Sequence, residues 1–414
     1  MKINAQRVWE RLSTLATITE PDSPWTRRSF TPKFLQGRKW IAHQFEQAGL
    51  VVSMDAGGNL IARLEGADPA LPPILVGSHS DSVPAGGRFD GMLGVIAALE
   101  IAQSLQERGE QLRHPLEVVD FLAEEPSEFG LSCIGSRALV GRLDEAMLAL
   151  TRPDGMTLRE AIQYVGGNPD ALHEPCRRPG SIAAYLELHI EQGKILESRK
   201  LDVGIVTGIA AIRRTRLIVT GRADHAGQTP MNDRADALVG AARLIDGAYR
   251  KALAASTPDV PLVATVGRIE QIRPNAANAV AGSVELILEC RSADEQAVVS
   301  FCDDLVASLS ADFQTLGLAV HIATLSHVPA TPCSDAIQKM IAQAAESLNK
   351  SACALPSGAG HDGMFVSHIA PFGMIFTPCR HGRSHTPEEW LEPEQAAVGV
   401  EVMFETVMLL DRSL

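Results

Sequence analysis

No apolar run in this 414-residue chain is long enough to cross a membrane. The start, MKINAQRVWERLSTLA, has no continuous apolar core ahead of a small-residue cleavage site. A membrane span and a secretory leader are therefore not expected, and a cytoplasmic location is. Cysteine is sparse and scattered: seven residues, an odd number, at Cys133, Cys176, Cys290, Cys302, Cys333, Cys353 and Cys379, with no CxxC pair. That argues against a disulfide framework and a thiolate zinc knuckle. Basic side chains are outnumbered 37 to 50, for a net charge of -13, so the long-range field repels polyanions and nucleic acid is not an expected partner. Solenoid-period repeats and low-complexity tracts are lacking as well. What remains is the balance of a soluble globular protein, with 45% hydrophobic and 21% charged residues and enough length for two domains.

Val8, Leu12, Leu15 and Ala16, then Phe34, Ile41 and Phe45, recur at helix spacing within 3–48. Short β-prone runs follow at 51–54, 59–64 and 74–76, punctuated by Gly and Pro. An amphipathic helix runs from Met92 to a stop at Gly109, and strands are expected at 116–122 and 184–190. Strand, helix and strand in this order predict an α/β sheet layered by helices. From about residue 212 the rhythm changes to strand 214–220, helix 233–253, strands 262–269 and 284–290, helix 293–316 and strand 318–323. That β-α-β-β-α-β order is ferredoxin-like and reads as an inserted α+β domain. The expected division is a catalytic domain in two parts, 1–211 and 330–414, around an insert at 212–329. A helix at 334–348 and a buried strand at 372–377 belong to the second part.

The chain is organised around GSHSDSVPAGGRFDG, residues 77–91, which puts His79, Asp81 and Asp90 at the end of one apolar run. Imidazole and carboxylate without thiolate suit zinc, manganese or cobalt. Side chains two apart in extended chain point the same way, so Asp81 is expected to accept the second ring proton of His79. Asp90, in a Gly-flanked loop, has two oxygens with which to bridge a pair of cations. A lone histidine is more often a satisfied core residue, and it is the company of His79 that reverses this. Glu124 and Glu125 follow an apolar strand; adjacent carboxylates point to opposite sides, so one can bind metal while the other reaches water. An isolated Glu-Glu pair is more often a solvated turn, and the strand ahead of it argues otherwise. HIEQG supplies His189, and GRSHTPEEW supplies His385. His79, Asp90, Glu125, His189 and His385 then form a five-ligand set for two metals about 3.5–4 Å apart, with Glu124 left over as base. In open α/β sheets such strand ends converge on one crevice.

Three features lie outside that set. His225, in the Gly-rich loop GRADHAGQTPM of the insert, is free to donate to a developing oxyanion. In PNAANAV, Asn275 and Asn278 offer amide donors, and Arg291 offers a fork for a carboxylate. PSGAGHDGMF, residues 356–365, is a glycine-rich turn whose backbone N–H groups near Gly358 could hold a substrate carbonyl or carboxylate. His361 and Asp362 in it are alternative metal ligands, with a supporting role preferred because five ligands are already in hand.

Assembled in order, GSHSDSVPAGGRFDG, AEE, HIEQG, DHAGQTPM, PNAANAV, SGAGHD and SHTPEE closely resemble the hydantoinase/carbamoylase amidases, a branch of the dinuclear zinc peptidase superfamily. The resemblance covers nearly the whole length. It implies a zinc-peptidase-like mixed sheet layered by helices, with the insert as a lid and dimerisation domain. It further implies two divalent ions, zinc first, with manganese, cobalt and nickel also accepted. Their ligands would be the counterparts of His79, Asp90, Glu125, His189 and His385, and the base would be Glu124. His225, Asn278 and Arg291 would bind substrate from the lid, Gln192 of HIEQG would touch it, and homodimerisation could carry His225 into the partner's site. One departure stands out: Pro126, Ser127, Glu128 and Phe129 follow the paired glutamates, where many relatives carry Gly-Ser/Ala-Arg-Phe. A second is that Ser80 and Ser82 replace a more usual Leu and Thr.

The expected reaction is metal-assisted hydrolysis of a linear C–N bond in a small carboxylated ureido acid or amide, first an N-carbamoyl-L-amino acid, with an allantoate amidohydrolase as the near alternative. A metallo-amino- or dipeptidase is a rival, and a non-catalytic binding protein a remoter one. Against the latter stands Glu124, because a binder needs ligands but no spare base.

Overall fold

A computed structural model describes residues 2–257 and 260–414. Residue 1 and residues 258–259, which fall inside the expected domain spans, lie outside the described residues. The chain divides into two compact units: Met1–Thr207 with Cys333–Leu355 and Gly360–Leu414, and Gly208–Pro332 with Pro356–Ala359.

The first unit is built on a mixed sheet. Its strands are β1 (Val51–Met54), β2 (Leu60–Leu64), β3 (Ile74–His79), β4 (Leu116–Phe121), β5 (Ala184–Ile190) and β6 (Val203–Ile209), joined late in the chain by β14 (Ala352–Ser357) and β15 (Phe372–Thr377). The order is β1-β2-β4-β3-β5-β15-β6, with β14 also pairing β6. β3 runs parallel to β4 and β5, and β15 runs parallel to β5, whereas β1, β2 and β6 pair antiparallel to their neighbours. β3, β4, β5 and β15 are buried along their whole length, the acids Glu117, Asp120 and Glu187 included, as strands covered on both faces are. Their carboxyl ends therefore lie side by side, and three of them lead into expected site residues.

Helices cover the sheet. Pro32–Gln47 starts with Thr31 accepting the N–H of Phe34 and with Pro32 in the first turn. Met92–Arg108 ends at Gly109, whose φ of 65° gives the left-handed turn that closes a helix. The 21-residue helix Pro393–Ser413 was not expected from periodicity. Val400, Met403, Phe404 and Val407 are at most 1% exposed, and a helix buried on several sides shows no polar stripe. Each such side chain contributes about 1.5–3 kcal/mol by leaving water. Glycines in β6 and the short, half-exposed β14 likewise concealed two strands.

The second unit holds β7 (Ala211–Thr220), β9 (Leu262–Arg273), β11 (Ser283–Ser292) and β12 (Ala319–Val328) in the order β12-β7-β11-β9, every pair antiparallel. Fourth, first, third, second is the ferredoxin-like arrangement. β11 alternates half-buried and buried residues, and its buried face carries Val284, Leu286 and Leu288 into a core with Leu244 and Ala248 of helix Ala237–Ala255 and Phe301 of helix Glu295–Ser308. The single helix expected over 293–316 is two, Glu295–Ser308 and Ser310–Thr315, with the break at Leu309. A small ribbon pairs β8 (Asp224–His225) with β10 (Ala279–Val280), and β13 (Thr331–Pro332) pairs with 208–209.

Candidate metal centre

The centre sits at the carboxyl ends of β3, β4 and β5. His79 is the last residue of β3, and His189 is the next to last of β5. Glu124 and Glu125 follow β4 through Ala123, whose φ is 51°. Gln192 and His385 also sit at positive φ, both 56°, so three backbone outliers of a kind that usually marks a functional constraint cluster here. Gly91, with φ 68°, admits the chain where a Cβ would strike the His79 ring.

Two donor groups share Asp90. His79, Asp90 and His189 form one, and Asp90, Glu125 and His385 the other, each with donor atoms within 4.8 Å of one another. His79 Nε2 lies 3.6 Å from Asp90 Oδ1 and 3.6 Å from Glu124 Oε2. His189 Nε2 is 3.0 Å from Asp90 Oδ1. On the other side, His385 Nε2 is 3.0 Å from Asp90 Oδ2 and 3.4 Å from Glu125 Oε1. The other ring edges set the tautomers. His79 Nδ1 meets the carbonyl of Asp81 at 3.1 Å, and His189 Nδ1 meets the carbonyl of Ile190 at 2.9 Å, so each Nδ1 carries the proton. Gly91 N–H donates to His189 Nε2 at 3.2 Å, consistent with that assignment. Imine lone pairs thus face carboxylate oxygens, an arrangement that repels unless a proton or a cation lies between them.

The ionisation balance makes the same demand. Burial would push His79 down, but Glu124, Asp81 and Asp90 outweigh it and hold the ring well above the ordinary imidazole range. His385 is raised to about 9, chiefly by its bond to Asp90 against the effect of burial. Burial lifts Glu124 well above the carboxylate range, with the charges of Glu125, Asp362 and Asp81 adding to it and His79 opposing it. Glu125 is raised to about 7 by burial and then by the charge of Asp90. Asp90 alone goes down, because the bonds from His189 and His385 overcome its burial. His189 and His385 serve Asp90 first and His79 faces Glu124 most strongly, yet burial and the neighbouring acids still keep both glutamates raised. Glu125 Oε1 is also buried with no hydrogen-bond partner. An all N/O donor set with surplus buried carboxylate and an orphaned oxygen fits divalent cations.

The support is more extensive than the motifs suggested. The Asp81 carboxylate is not the nearest acceptor for His79 Nδ1: at 3.5 Å it lies farther off than the carbonyl of the same residue. Its oxygens instead accept the backbone N–H groups of Glu124 and Glu125 at 3.2 and 3.3 Å, tying the two glutamates to the β3 loop. Gln192 Nε2 donates to Asp90 Oδ2 at 2.8 Å. Ser384 Oγ lies 2.8 Å from Asp90 Oδ2 and 2.9 Å from Glu389 Oε2. Glu389 Oε1 takes the N–H groups of Phe89 and Asp90 at 2.7 and 3.1 Å. Ser384 and Glu389 escaped the reading of SHTPEE, although they stand in it; a hydroxyl and a second acid beside a ligand histidine were the available signal. His361 stacks edge-on to His189, with centroids 4.7 Å apart, and a third donor group joins Glu187, His189 and His361. Asp362 accepts the Ser136 hydroxyl at 2.5 Å, and Glu187 accepts those of Ser78 and Tyr185 at 2.6 and 2.8 Å. Glu128, which stands where an arginine was the more usual residue, lies 3.5 Å from Arg28.

His225, Asn278, Arg291 and Gly358 belong to the second unit. His225 is exposed, and its Nδ1 accepts the N–H groups of Gly227 and Gln228 at 3.0 and 3.2 Å, so Nε2 carries the proton as a free donor. The carbonyl of Asn278 accepts the N–H of Ala226 at 2.9 Å, which holds this asparagine beside the His225 loop. Arg291 is already engaged: Nε and Nη2 both reach Glu289 Oε1 at 2.7 Å, and Nη1 donates to the carbonyl of Gly358 at 3.0 Å. Residues 289 and 291 share a strand face, which is why the fork finds an acid there.

Comparison with known proteins places these residues in a family. The model for peptidase family M20/M25/M40 matches residues 75–409. The chain is similar to N-carbamoyl-L-amino acid amidohydrolase of Geobacillus stearothermophilus, 39% identical over 99% of both chains. It is also similar to ureidoglycolate hydrolase of Arabidopsis thaliana, 35% identical over 99% of this chain and 87% of that one. Among solved structures, a hydantoinase/carbamoylase family amidase from Burkholderia multivorans superposes with a TM-score of 0.89 at 33% identity, covering 99% of this chain and 98% of the other.

Proposed function

The chain belongs to peptidase family M20/M25/M40, and on that footing we propose that it hydrolyses the ureido C–N bond of N-carbamoyl-L-amino acids to amino acid, carbon dioxide and ammonia. The observation that carries this reading is a buried carboxylate, Glu124, left over beside two complete donor groups. His79, Asp90 and His189 would hold one divalent ion and Asp90, Glu125 and His385 a second, with zinc the first choice for this donor set and manganese, cobalt or nickel acceptable. Bound there, the ions supply Lewis-acid polarisation of the substrate carbonyl and a more acidic water.

Glu124 takes the proton of the attacking water and passes it to the leaving nitrogen, a task suited to a carboxylate whose burial raises its basicity. Asp81 fixes Glu124 for that transfer through the backbone bond. Gln192 orients Asp90 and stands ready to touch substrate. His225 Nε2–H and the Asn278 amide are assigned to the developing oxyanion, and Arg291, with the Gly358 turn, to the substrate carboxylate. The second unit is assigned the roles of lid and of dimerisation surface. Its outer strand β9 leaves Val263, Ile269 and Ile272 at 43–53% exposure, and Tyr249 and Leu253 of helix Ala237–Ala255 are 65% and 66% exposed. An uncovered edge strand with apolar neighbours is a ready site for a second copy. All seven cysteines are free, as a reducing cytoplasm would keep them, and no described helix is long and apolar enough to cross a membrane.

The test is ammonia release, after metal reconstitution, from a panel of N-carbamoyl-L-amino acids, β-ureidopropionate, allantoate and ureidoglycolate, with dipeptides as a separate arm. Turnover confined to dipeptides would overturn the reading. Glu124→Gln should keep its metal and lose turnover by at least about a hundredfold. Full activity in that variant would remove Glu124 as the base.

A further inference from the structure

We propose that Glu124 is aimed at the metal centre by a brace of residues 133–135, in which the thiol of Cys133 is the positioning group that touches its carboxylate. This rests on the reaction proposed for the centre, in which Glu124 moves the proton. It adds side chains that none of the site motifs contains.

Residues 122–124 and 133–135 run past each other on three backbone bonds. The N–H groups of Cys133, Ile134 and Gly135 donate to the carbonyls of Glu124, Ala123 and Leu122 at 2.8, 3.0 and 2.7 Å. The buried Asn59 side chain closes the far end. Its Oδ1 accepts the N–H of Leu122, and its Nδ2 donates to the carbonyl of Gly135, both at 3.0 Å. Gly135 is required for that approach, because a Cβ there would stand 1.9 Å from Asn59 Oδ1 and 2.5 Å from the backbone nitrogen of Leu122. The brace is therefore fixed to the strand end that carries the base.

At the near end, Cys133 Sγ donates to Glu124 Oε1 at 3.6 Å. Burial holds the thiol well above its ordinary range and the charge of Glu124 adds to this, so the sulfur keeps the proton it donates. The other oxygen, Oε2, lies 3.6 Å from His79 Nε2, on the side of the donor groups. The thiol thus engages one oxygen and leaves its twin directed at the centre. A thiol is a weak donor, so it sets direction while leaving the carboxylate free to take a proton, as a hydroxyl or an N–H would not. Cys133 and Ala123 both stand in left-handed backbone, at φ 55° and 51°. That conformation is costly for residues with a side chain and collects where function constrains the chain. Glycine would suit the backbone at 133 better, but it would lack the thiol.

Infrared difference spectra of the full-length protein test the contact without turnover, since the S–H stretch falls in a window clear of other protein bands. Subtracting Cys133→Ala from the wild type isolates the Cys133 band. The same subtraction in a Glu124→Gln background, where a carboxamide replaces the carboxylate acceptor, should place that band at higher frequency. Kinetics test the consequence on whichever ureido, amide or dipeptide substrate the wild type turns over, so failure of the proposed reaction changes the substrate and not the comparison. Cys133→Ala should lower kcat about tenfold, the scale of a small misplacement of a reacting group, with KM within about twofold and metal content unchanged. Cys133→Gly, which the left-handed backbone accepts without strain, should share the loss and guards against a folding defect in the first variant. Two outcomes overturn the proposal. One is a Cys133 band at the same frequency in both backgrounds. The other is a wild-type kcat in both Cys133 variants, which, even with a lowered melting temperature, would mean that the thiol only fills space.

Discussion

Glu389 accepts the backbone N–H of Asp90 at 3.1 Å across 299 residues of sequence, and the same carboxylate lies 2.9 Å from the hydroxyl of Ser384, the neighbour of His385. One buried acid therefore fixes both the residue shared by the two donor groups and the loop that carries the last histidine. Glu389→Gln keeps the size but replaces one acceptor oxygen by a donor. Metal affinity, measured by competition with a chromogenic chelator, should fall about 10–100-fold, as is typical for partners that orient a ligand. An unchanged affinity would mean that the loops hold themselves.

The same carboxylate explains Gly87, where a Cβ would fall inside the Glu389 carboxyl group. Gly87→Ala must displace either the loop or the acid. We expect a loss of about 1–3 kcal/mol in unfolding free energy, as for other overpacked sites, together with a lower metal content in the purified protein. Elemental analysis beside a denaturant titration checks both.

Arg38 and Asp120 form a buried ion pair at 3.0 Å, and Asp120 also accepts the Ser80 hydroxyl one residue from His79. Removing only the cation leaves a carboxylate that burial already pushes up. Arg38→Ala should therefore cost about 3–5 kcal/mol, and the double variant Arg38→Ala with Asp120→Ala should cost less than the sum of the two singles. Denaturant unfolding of the four proteins supplies the cycle.

The carboxylate clamp proposed at Arg291 would bear on substrate selection. Glu289 is held below the usual carboxylate range although burial opposes this, because Arg291 and Arg214 both face it. On that proposal a substrate carboxylate would share the Arg291 fork with that charge. Glu289→Gln should lower KM for carboxylated substrates by about two- to fivefold, the scale of a half-exposed ion pair, and leave the corresponding amides unchanged. A rise in KM instead would show that Glu289 orients the fork rather than competing for it.

Metal removal should destabilise the protein as well as silence it. Ions that bind only the folded state add about 2.7 kcal/mol when free metal is about a hundredfold above the dissociation constant. Chelation should lower the melting temperature, and added zinc should restore it. If melting does not respond to chelator, the carboxylates do not depend on cations for their charge balance.

Much of this architecture was legible in the sequence. Strands expected at 74–76, 184–190 and 372–377 are found as β3, β5 and β15, with β3 running on to His79, and the βαββαβ rhythm of the second unit survives in its strand order. The helix Pro393–Ser413 was not legible, because burial on several faces erases the polar stripe that announces a helix. His79, Asp90, Glu125, His189 and His385 were brought together by chemistry and resemblance before any distance was known. Glu389 and the true work of Asp81 were not, since both act on backbone N–H groups whose positions depend on how distant loops meet. Arg291 illustrates the same limit: its sequence context does not reveal that Glu289 already occupies its fork.

The shared position of Asp90 has a consequence for biosynthesis. Its first donor group is complete once the chain has been made as far as His189, but the second waits for His385. β15, the strand that flanks β5, and helix Pro393–Ser413 also come late. A nascent chain therefore gains its two donor groups in two instalments, and the pair of ions proposed for them could be held only near the end of synthesis, after the whole second unit has emerged.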